Sequence, residues 1–462
     1  MLPPAIGILS ALLKQHGHEV VLFDSTQYAE FPMKHRPAVN VDESKAERLM
    51  VKAFKPTEVM TEIVSDIYKD FASLVRSFDP QLVAMSCTED LWRPGISLLK
   101  SIKKKKFLTI AGGVFPTFAP DLAISYPEVD MICKGEGENA LVELCSRLES
   151  GQGYDDISNI WIKDAAGNVK ENPLDMVDMN ANPLIDVKLF EEARYYRPMA
   201  GQIYRMFPVE IFRGCPYSCR YCNSPWQSAM YRQEAGKNFL RRKSFEKIKE
   251  ELIYYKEEMK AEYLYFWSDT FFSWTKKDFF KFAEIYEEIS LPFWIQTRPE
   301  TVKRDLFETL KAIGCHRISF GLEHGNEEFR ARVLGRKITN KKIIRSLELV
   351  NEIGIPFSVN NMIGFPEETY DLAFDTIELN RHIDSHNQNL YAFVPFHGLP
   401  LRKICEDLKL VSPDTITRVL TGKPMLDQKQ YSADQVEGLQ KCFVFYVKMP
   451  KSRIDHLLQD IG

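Results

Sequence analysis

The sequence predicts an α/β protein in which two parallel-sheet domains are followed by a helical region. Short apolar runs alternate with amphipathic stretches of helical period over residues 1–150, and the alternation resumes over residues 204–400. This alternation is typical of parallel strands joined by right-handed helical crossovers. The length of 462 residues also indicates more than one domain, since a domain usually has about 100 to 200 residues.

The first domain, residues 1–150, is predicted to be a Rossmann-like (flavodoxin-like) sheet. Strands are predicted at residues 19–23, 82–86, 107–111 and 131–134, and helices at 6–16, 57–77, 94–105, 120–125 and from 135 onward. A polar region lies between the first strand and residue 57. An α/β domain normally begins with a strand, whereas this chain begins with a loop and a helix, so we expect its first strand to be missing.

Two further segments complete the predicted organisation. Residues 151–203 are interrupted by glycines and prolines, which are typical of turns and loops, and they are predicted to link the domains, with a hairpin near residues 160–169. Residues 401–462 have apolar side chains at helical spacing, which predicts a helical C-terminal region.

Three cysteines stand close together in the stretch RGCPYSCRYCNSP, residues 213–225. Cys215, Cys219 and Cys222 have C-x3-C-x2-C spacing. Structural zinc usually has four ligands, and the next Cys or His is far along the chain, at Cys315. An iron–sulfur cluster held by three cysteines keeps one iron open for a ligand that is not protein. A zinc knuckle remains the alternative interpretation.

This stretch resembles the radical S-adenosylmethionine (SAM) enzymes, including the aromatic Tyr221 just before the last cysteine. The resemblance implies that Cys215, Cys219 and Cys222 hold a [4Fe–4S] cluster whose open iron binds the amino and carboxylate groups of SAM. One electron from the cluster then cleaves SAM to a carbon radical. Such an enzyme needs an external one-electron donor such as flavodoxin or ferredoxin.

The second domain, residues 204–400, fits the partial (β/α)6 barrel of that family. Strands are predicted at residues 207–212, 263–267, 293–296, 317–321, 356–363 and 389–394, and helices at 244–259, 276–289, 304–313, 340–353 and 370–382. In barrels the chemistry lies at the carboxyl ends of the strands. The resemblance places SAM contacts there, at Tyr221, Ser268, Asp269, Glu323, Gly364 and Pro366. Arg298 faces the same mouth, where an arginine can pair with the SAM carboxylate or with an anionic substrate. His324 replaces the Ser of the family's G-x-E-S-G pattern, so it is either a substrate contact or a packed or solvent-facing residue.

The loops of the first domain resemble the cobalamin-binding domain that precedes the radical SAM domain in one large subgroup. The matching stretches are PPAIGILSALLKQHGHEV, AMSCTED, AGGVFPTFAPD and KGEGENALVEL, and ligands of open parallel sheets bind at this carboxyl edge. The resemblance implies cobalamin contacts at Ser86, Thr88, Gly112, Gly113, Gly135 and Glu136. The motif D-x-H-x-x-G is absent, which implies that no protein histidine binds the cobalt. A flavodoxin-like sheet without its cofactor is the alternative.

Composition restricts the partners and the compartment. The net charge of −4 gives no reason to expect a nucleic-acid partner. Nine cysteines, only three of them clustered, do not form the pattern of a disulfide framework, so we expect a cytoplasmic protein. We expect no membrane span, because no apolar run is long enough, and no signal peptide is recognisable.

The two resemblances together imply a cobalamin-dependent radical SAM enzyme that acts on a small molecule. Their tandem arrangement favours a class B-like methyltransferase, in which a 5′-deoxyadenosyl radical activates a carbon or phosphorus centre and methylcobalamin delivers the methyl group. One alternative is a cyclase or rearrangement enzyme with the same cofactors, for example one that cyclises a tetrapyrrole ester oxidatively. Another is a non-catalytic protein that binds cobalamin or an iron–sulfur cluster.

Overall fold

The structure is a computed structural model that describes residues 2–28, 31, 63–103, 105–418 and 423–453. Most of the polar region predicted before residue 57, the start of the helix predicted at residues 57–77, and residues 454–462 of the predicted helical tail lie outside the described residues.

The first domain contains a five-stranded sheet in the order β1-β2-β3-β4-β5. Its strands are β1 (Leu82–Ser86), β2 (Leu108–Gly112), β3 (Met131–Cys133), β4 (Ile160–Lys163) and β5 (Val169–Lys170). Its helices are α1 (Pro4–Gln15), α2 (Ile67–Phe78), α3 (Glu89–Lys100), α4 (Val114–Phe118), α5 (Pro120–Ile124) and α6 (Glu138–Ser150). The first three strands are parallel, and their order confirms the predicted α/β class.

Two features of the first domain differ from the prediction. Residues 18–24 form no strand within the described part of the chain, although Val20, Leu22 and Phe23 pack against the hydrophobic core. The apolar pattern there reflects packing without backbone pairing. The hairpin expected near residues 160–169 is present, and β4 pairs antiparallel with β3, so part of the predicted linker extends the first sheet.

The second domain contains a seven-stranded sheet in the order β14-β13-β12-β11-β10-β7-β6, curled into a half-barrel. The remaining strands are β6 (Tyr196–Met199), β7 (Gln202–Val209), β8 (Phe212–Arg213), β9 (Arg241–Arg242), β10 (Tyr263–Phe266), β11 (Phe293–Thr297), β12 (Cys315–Glu323), β13 (Phe357–Ile363) and β14 (Asn387–Ala392). Strand β7 and strands β10 to β14 are parallel, as a partial (β/α)6 barrel requires.

The second domain and the C-terminal region contain nine α-helices among the described residues. They are α7 (Ser224–Glu234), α8 (Phe245–Ile253), α9 (Lys276–Ile289), α10 (Arg304–Ala312), α11 (Glu327–Arg332), α12 (Asn340–Ile353), α13 (Tyr370–Arg381), α14 (Pro400–Asp407) and α15 (Ala433–Lys448). Of these, α8, α9, α10 and α12 cover the outer face of the half-barrel. Side chains such as Phe207, Phe266 and Phe320 are inaccessible to solvent between sheet and helices. No helix among the described residues is long and apolar enough to cross a membrane.

The start of the half-barrel differs from its prediction. The strand predicted at residues 207–212 is divided into β7 and the short β8, which pairs with β9 outside the main sheet. Helix α7, which directly follows the cysteines, was not predicted, because its sequence SPWQSAMYRQE has only a weak apolar face. Its proline stands at the first turn, where the missing N–H has no cost.

Candidate functional site

The three cysteines lie in the loop between β8 and α7, at the carboxyl end of the first barrel strand. Gly214 starts this loop with φ +92°, a conformation that L side chains rarely adopt. A Cβ atom at Gly214 would also lie 3.0 Å from the Leu240 Cα atom. Glycine therefore allows β8 to turn sharply against the segment before β9, and this turn places Cys215 at the barrel mouth.

The thiols are protected and suited to metal binding. Cys219 is buried, whereas Cys215 and Cys222 are half-buried. Burial raises the pKa of Cys215 to about 11 and that of Cys222 to about 12. These two thiols therefore stay protonated at neutral pH until iron displaces the protons, as metal ligands must be deprotonated. The Arg298 guanidinium donates a hydrogen bond to the Cys219 sulfur at 3.4 Å.

The three thiols form a donor set of the kind that holds an iron–sulfur cluster. In the described parts of the chain, no group of three or more Cys, His, Asp or Glu side chains converges as the ligands of one metal ion do. Each cysteine of a [4Fe–4S] cluster binds a different iron, so the sulfurs need not converge. Three cysteine thiols on one short loop agree with the cluster.

A chain of ion pairs connects the cysteine loop to the fourth barrel strand. Arg298 stacks on the Tyr217 ring at 3.7 Å and pairs with Glu300 at 2.6 Å. Arg336, which is almost fully buried, pairs with Glu300 at 3.2 Å and with Glu323 at 3.0 Å. The predicted residues Arg298 and Glu323 thus belong to one network, which Glu300 and Arg336 complete. Sequence reasoning missed these two because neither stands in a recognisable motif.

Glu323 has a backbone conformation that side chains other than glycine rarely adopt, with φ +71°. Such strain persists only where the surroundings impose it, and it concentrates at functional sites. The pKa of Glu323 is raised by burial, and the nearby Arg336 opposes this effect. The pKa of Tyr221 is also raised well above its usual value by burial. Tyr221 is therefore a neutral hydrogen-bonding group beside the cluster loop.

Ser268 and Asp269 lie after β10, where the family presents polar atoms to the SAM amino group. The Asp269 carboxylate accepts a hydrogen bond from the Ser224 hydroxyl at 2.6 Å. Asp269 is solvent-accessible within the cleft, yet the protein atoms packed around the cleft raise its pKa by desolvation. The Ser268 hydroxyl is buried without a hydrogen-bond partner among the described residues. A buried polar atom normally has a partner, so this unused hydroxyl fits a bound ligand.

Gly364 and Pro366 belong to a buried turn after β13. Between them Phe365 donates its backbone N–H to Glu368 at 2.8 Å, and its ring contacts that of Tyr221. Glu368 also pairs with the His324 ring at 3.1 Å, and both side chains are inaccessible to solvent. His324 is therefore a packed residue that joins the ends of β12 and β13, and its geometry does not support substrate contact.

The predicted cobalamin residues Ser86, Thr88, Gly112 and Gly113 lie together at the carboxyl edge of the first sheet. Ser86 and Thr88 are exposed at this edge. Gly113 has φ +108°, and a Cβ atom there would lie 2.8 Å from the Cys87 carbonyl oxygen. The two loops can therefore approach each other only with glycine at this position. This accessible sheet edge offers the hydroxyls of Ser86 and Thr88 and the glycine backbone of the second loop. Such groups suit the polar tail of cobalamin.

We predict that Gly113→Val weakens cobalamin binding at least about tenfold, because the side chain would separate the two loops and a positive φ disfavours valine. Equilibrium dialysis with hydroxocobalamin measures this effect. Gly153→Ala is the matched control, since a Cβ atom at Gly153 meets only the Asp155 side chain, at 4.0 Å. Unchanged binding by Gly113→Val would remove this edge from the cobalamin site.

Gly135 and Glu136, the other predicted cobalamin contacts, lie where the first domain meets the second. Glu136 is buried, and its carboxylate forms ion pairs with Arg213, at 2.6 Å, and with Arg241. The Glu136 N–H donates to the Tyr231 hydroxyl at 2.9 Å, and a Cβ atom at Gly135 would lie 2.4 Å from the same oxygen. The protein already uses all these groups, so we assign both residues to the contact between the domains.

Arg213 is the centre of this contact. Besides Glu136, it pairs with Glu138 at 2.6 Å and with Glu210 at 3.1 Å. All of these side chains are largely buried. Arg213 lies two residues before Cys215, so the first domain is attached directly to the base of the cysteine loop.

A second contact holds the first domain to the other side of the half-barrel. The buried carboxylate of Glu89 accepts backbone N–H groups from His397, at 2.8 Å, and from Thr417, at 3.0 Å. The ring of Phe115 also packs edge-on against His397. Glu89 follows β1 and His397 follows β14. The carboxyl edges of the two sheets therefore face each other, with Ser86 and Thr88 beside the barrel mouth.

Comparison with known proteins identifies both domains. A model of the radical SAM superfamily matches residues 209–379, and a model of the B12 binding domain matches residues 49–145. The chain is 24% identical over 421 residues to an uncharacterized methyltransferase of Pyrococcus horikoshii, and the matched region covers 89% of each protein. It is 24% identical over 279 residues to the anaerobic magnesium-protoporphyrin IX monomethyl ester cyclase of Synechocystis, and the matched region covers 58% of this chain and 52% of the cyclase.

Solved structures share the fold at low sequence identity. The radical SAM methyltransferase TsrM from Kitasatospora setae, with tryptophan substrate and a SAM analog bound, has a TM-score of 0.62 at 15% identity, over 89% of this chain and 74% of TsrM. The cobalamin-dependent SAM radical enzyme OxsB, with aqua-cobalamin and SAM bound, has a TM-score of 0.58 at 17% identity, over 88% of this chain and 52% of OxsB. The chain combines a B12 binding domain with a radical SAM domain, and it is therefore a cobalamin-dependent radical SAM enzyme that uses a [4Fe–4S] cluster, SAM and cobalamin.

Proposed function

We propose that the protein is a methyltransferase that acts on an unactivated carbon, or a phosphorus, of a small molecule. The observation that carries this proposal is the apposition of the two sheet edges. The contacts of Arg213 on one side and of Glu89 on the other hold the predicted cobalamin edge against the barrel mouth. A substrate between them would be close to both cofactor sites at once, which is the geometry that methyl transfer after radical formation needs.

Bound together, the cluster and SAM supply a 5′-deoxyadenosyl radical, and cobalamin supplies the methyl group. The chain's residues hold and orient these groups. Cys215, Cys219 and Cys222 would hold the cluster, the free hydroxyl of Ser268 would receive the SAM amino group, and Arg298 would receive its carboxylate. The packed rings of Tyr221 and Phe365 exclude water on the side of β13.

Some relatives favour this function by name. The Pyrococcus horikoshii relative is named a methyltransferase and matches over almost the whole chain. The cyclase relatives give a second candidate, oxidative cyclisation with the same cofactors, and their match covers about half of their own length. We further propose a flavodoxin or ferredoxin as the electron donor. A cytoplasmic location is proposed because none of the nine cysteines forms a disulfide.

The products of SAM distinguish the two candidates. Anaerobically reconstituted enzyme with cobalamin and a strong reductant is expected to form S-adenosylhomocysteine together with 5′-deoxyadenosine. The first product forms when SAM gives its methyl group to cobalamin, and the second forms when SAM is cleaved to the radical. Liquid chromatography with mass spectrometry measures both products. Formation of 5′-deoxyadenosine alone would exclude methyl transfer and leave the cyclase or rearrangement chemistry. The protein without added cobalamin is the control, and we expect it to form only 5′-deoxyadenosine.

A further inference from the structure

Arg317 is a buried arginine without a partner. It lies near the start of β12 and is 9% exposed. Within the part of the chain that the structure describes, its guanidinium has no ion pair and no hydrogen bond, and its Nε atom is fully buried. Buried charges in proteins are normally paired, because removal from water is otherwise costly.

Other buried arginines of this chain follow that rule. Arg213 and Arg336 pair with carboxylates. Arg330 is inaccessible to solvent and donates to the carbonyl oxygens of His324 and Ile338. Arg317 departs from the rule, and burial lowers the pKa of its guanidinium. An unpaired guanidinium in such a place suits an anion that comes from outside the chain.

Arg317 faces the interior of the half-barrel. It is opposite Trp294 in the sheet register, and it lies on the same side of β12 as Ser319, which accepts the Trp294 indole N–H at 3.0 Å. The alternate residues Ile318 and Phe320 pack under the outer helices. The Trp294 ring stacks on that of Tyr265 at 4.3 Å, so aromatic rings line the wall above Arg317.

Strands β12 to β14 add uncharged polar side chains to this inner face. The Ser319 and Ser358 hydroxyls bond to each other at 2.9 Å, and the Asn389 amide donates to Asn360 at 2.7 Å. Nearer the mouth, the Trp267 ring is 48% exposed and lies edge-on to Tyr265. Among the described residues, this part of the inner wall is thus aromatic and amide-rich, and Arg317 lies deep inside it without an ion pair.

SAM cannot be the partner of Arg317. Six residues separate Arg317 from Glu323 along β12, which is about 20 Å at roughly 3.3 Å per residue. Glu323 is at the mouth, with the cysteine loop and Arg298. A SAM molecule bound to the cluster has its carboxylate there. An anion paired with Arg317 would therefore belong to another molecule inside the half-barrel.

We propose that Arg317 binds an anionic group, a carboxylate or a phosphate, of the substrate. This rests on the proposed function, because it assumes that the substrate enters the half-barrel. The body of the substrate lies along Trp294, Tyr265 and Trp267, with its reacting atom at the mouth. The substrate class is then an elongated acid with a flat aromatic or apolar body. Arg317 is a substrate-binding residue that fixes how far the substrate enters.

Binding of small anions to Arg317→Met tests the proposal without knowledge of the substrate. The probes are benzoate and phenyl phosphate, with neutral benzamide for comparison, added to the reconstituted full-length enzyme. We expect the anions to raise the midpoint of thermal unfolding of the wild type, and benzamide to leave it unchanged. Calorimetry should show at least tenfold weaker anion binding by Arg317→Met. Whichever anion binds more tightly indicates whether the group is a carboxylate or a phosphate.

The stability of the variant separates a binding role from a structural one. Arg317→Met should unfold at a higher temperature than the wild type when no anion is present, since it removes an unpaired buried charge. Arg304→Met, at an exposed arginine of α10, should keep the anion effect. Equal binding of benzamide and benzoate, or a destabilised Arg317→Met that still binds anions, would overturn the proposal. Arg317→Gln gives the same test if the methionine variant fails to fold. Anion binding without formation of S-adenosylhomocysteine would overturn only the methyltransferase function.

Discussion

Cys219→Ala is expected to reduce formation of 5′-deoxyadenosine to background. Cys219 is the buried member of the cysteine triplet, and its sulfur is the one that accepts a hydrogen bond from Arg298. Without it the cluster has two protein ligands, and the site that binds and reduces SAM is lost. Iron and sulfide analysis of the anaerobically reconstituted variant should show the same loss, and chromatography of the SAM products measures the activity.

Cys442→Ala is the matched control, because Cys442 is an exposed thiol on α15. It should keep its iron content and its rate of SAM cleavage. Retention of cobalamin by Cys219→Ala is expected as well, since the first domain does not contain the cluster. SAM cleavage by Cys219→Ala at the rate of the control would contradict the assignment of this cysteine to the cluster.

Arg213→Met should have the second-largest effect, on the stability of the protein. The substitution leaves three largely buried carboxylates, Glu136, Glu138 and Glu210, without their shared counterion. Breaking a buried ion pair in this way costs about 3–5 kcal/mol. We expect a clear fall in the midpoint of thermal unfolding, measured by calorimetry, and the appearance of separate transitions for the two domains.

Arg304→Met removes an arginine whose ion pairs are exposed, and it should leave the midpoint almost unchanged. The two variants carry the same substitution, so the comparison isolates burial. An Arg213→Met protein as stable as this control would show that the domains are held by other contacts, such as that of Glu89.

The sequence predicted most of the architecture because its signals are local. The strand β1 and the helices α9 and α12 begin and end where their apolar patterns predict. The cysteine spacing predicted a cluster loop because three ligands in eight residues need no long-range information. The strand predicted at residues 19–23 was wrong, since its apolar residues pack without pairing to a neighbour.

The parts that could not be predicted depend on contacts between distant segments. Arg336 reaches Glu300 and Glu323 only after the strands are assembled, and nothing near Arg336 in the sequence indicates this network. Glu136 stands in a loop whose position suggests ligand binding, but the buried Arg213 and Arg241 of the second domain occupy its carboxylate. The unpaired state of Arg317 likewise becomes visible only when all its neighbours are known.

The Arg213 contact also has a consequence for the order of assembly during synthesis. Glu136 and Glu138 leave the ribosome long before Arg213 does, and domains generally fold in that order. Until then these carboxylates lack their counterion, so the loop that carries them should remain hydrated in the newly made first domain. Docking of the first domain onto the second becomes favourable only when β8, which carries Arg213, has formed. The turn that follows β8 also presents Cys215. The nascent chain would therefore join its domains at the moment at which the cluster loop becomes ready for iron.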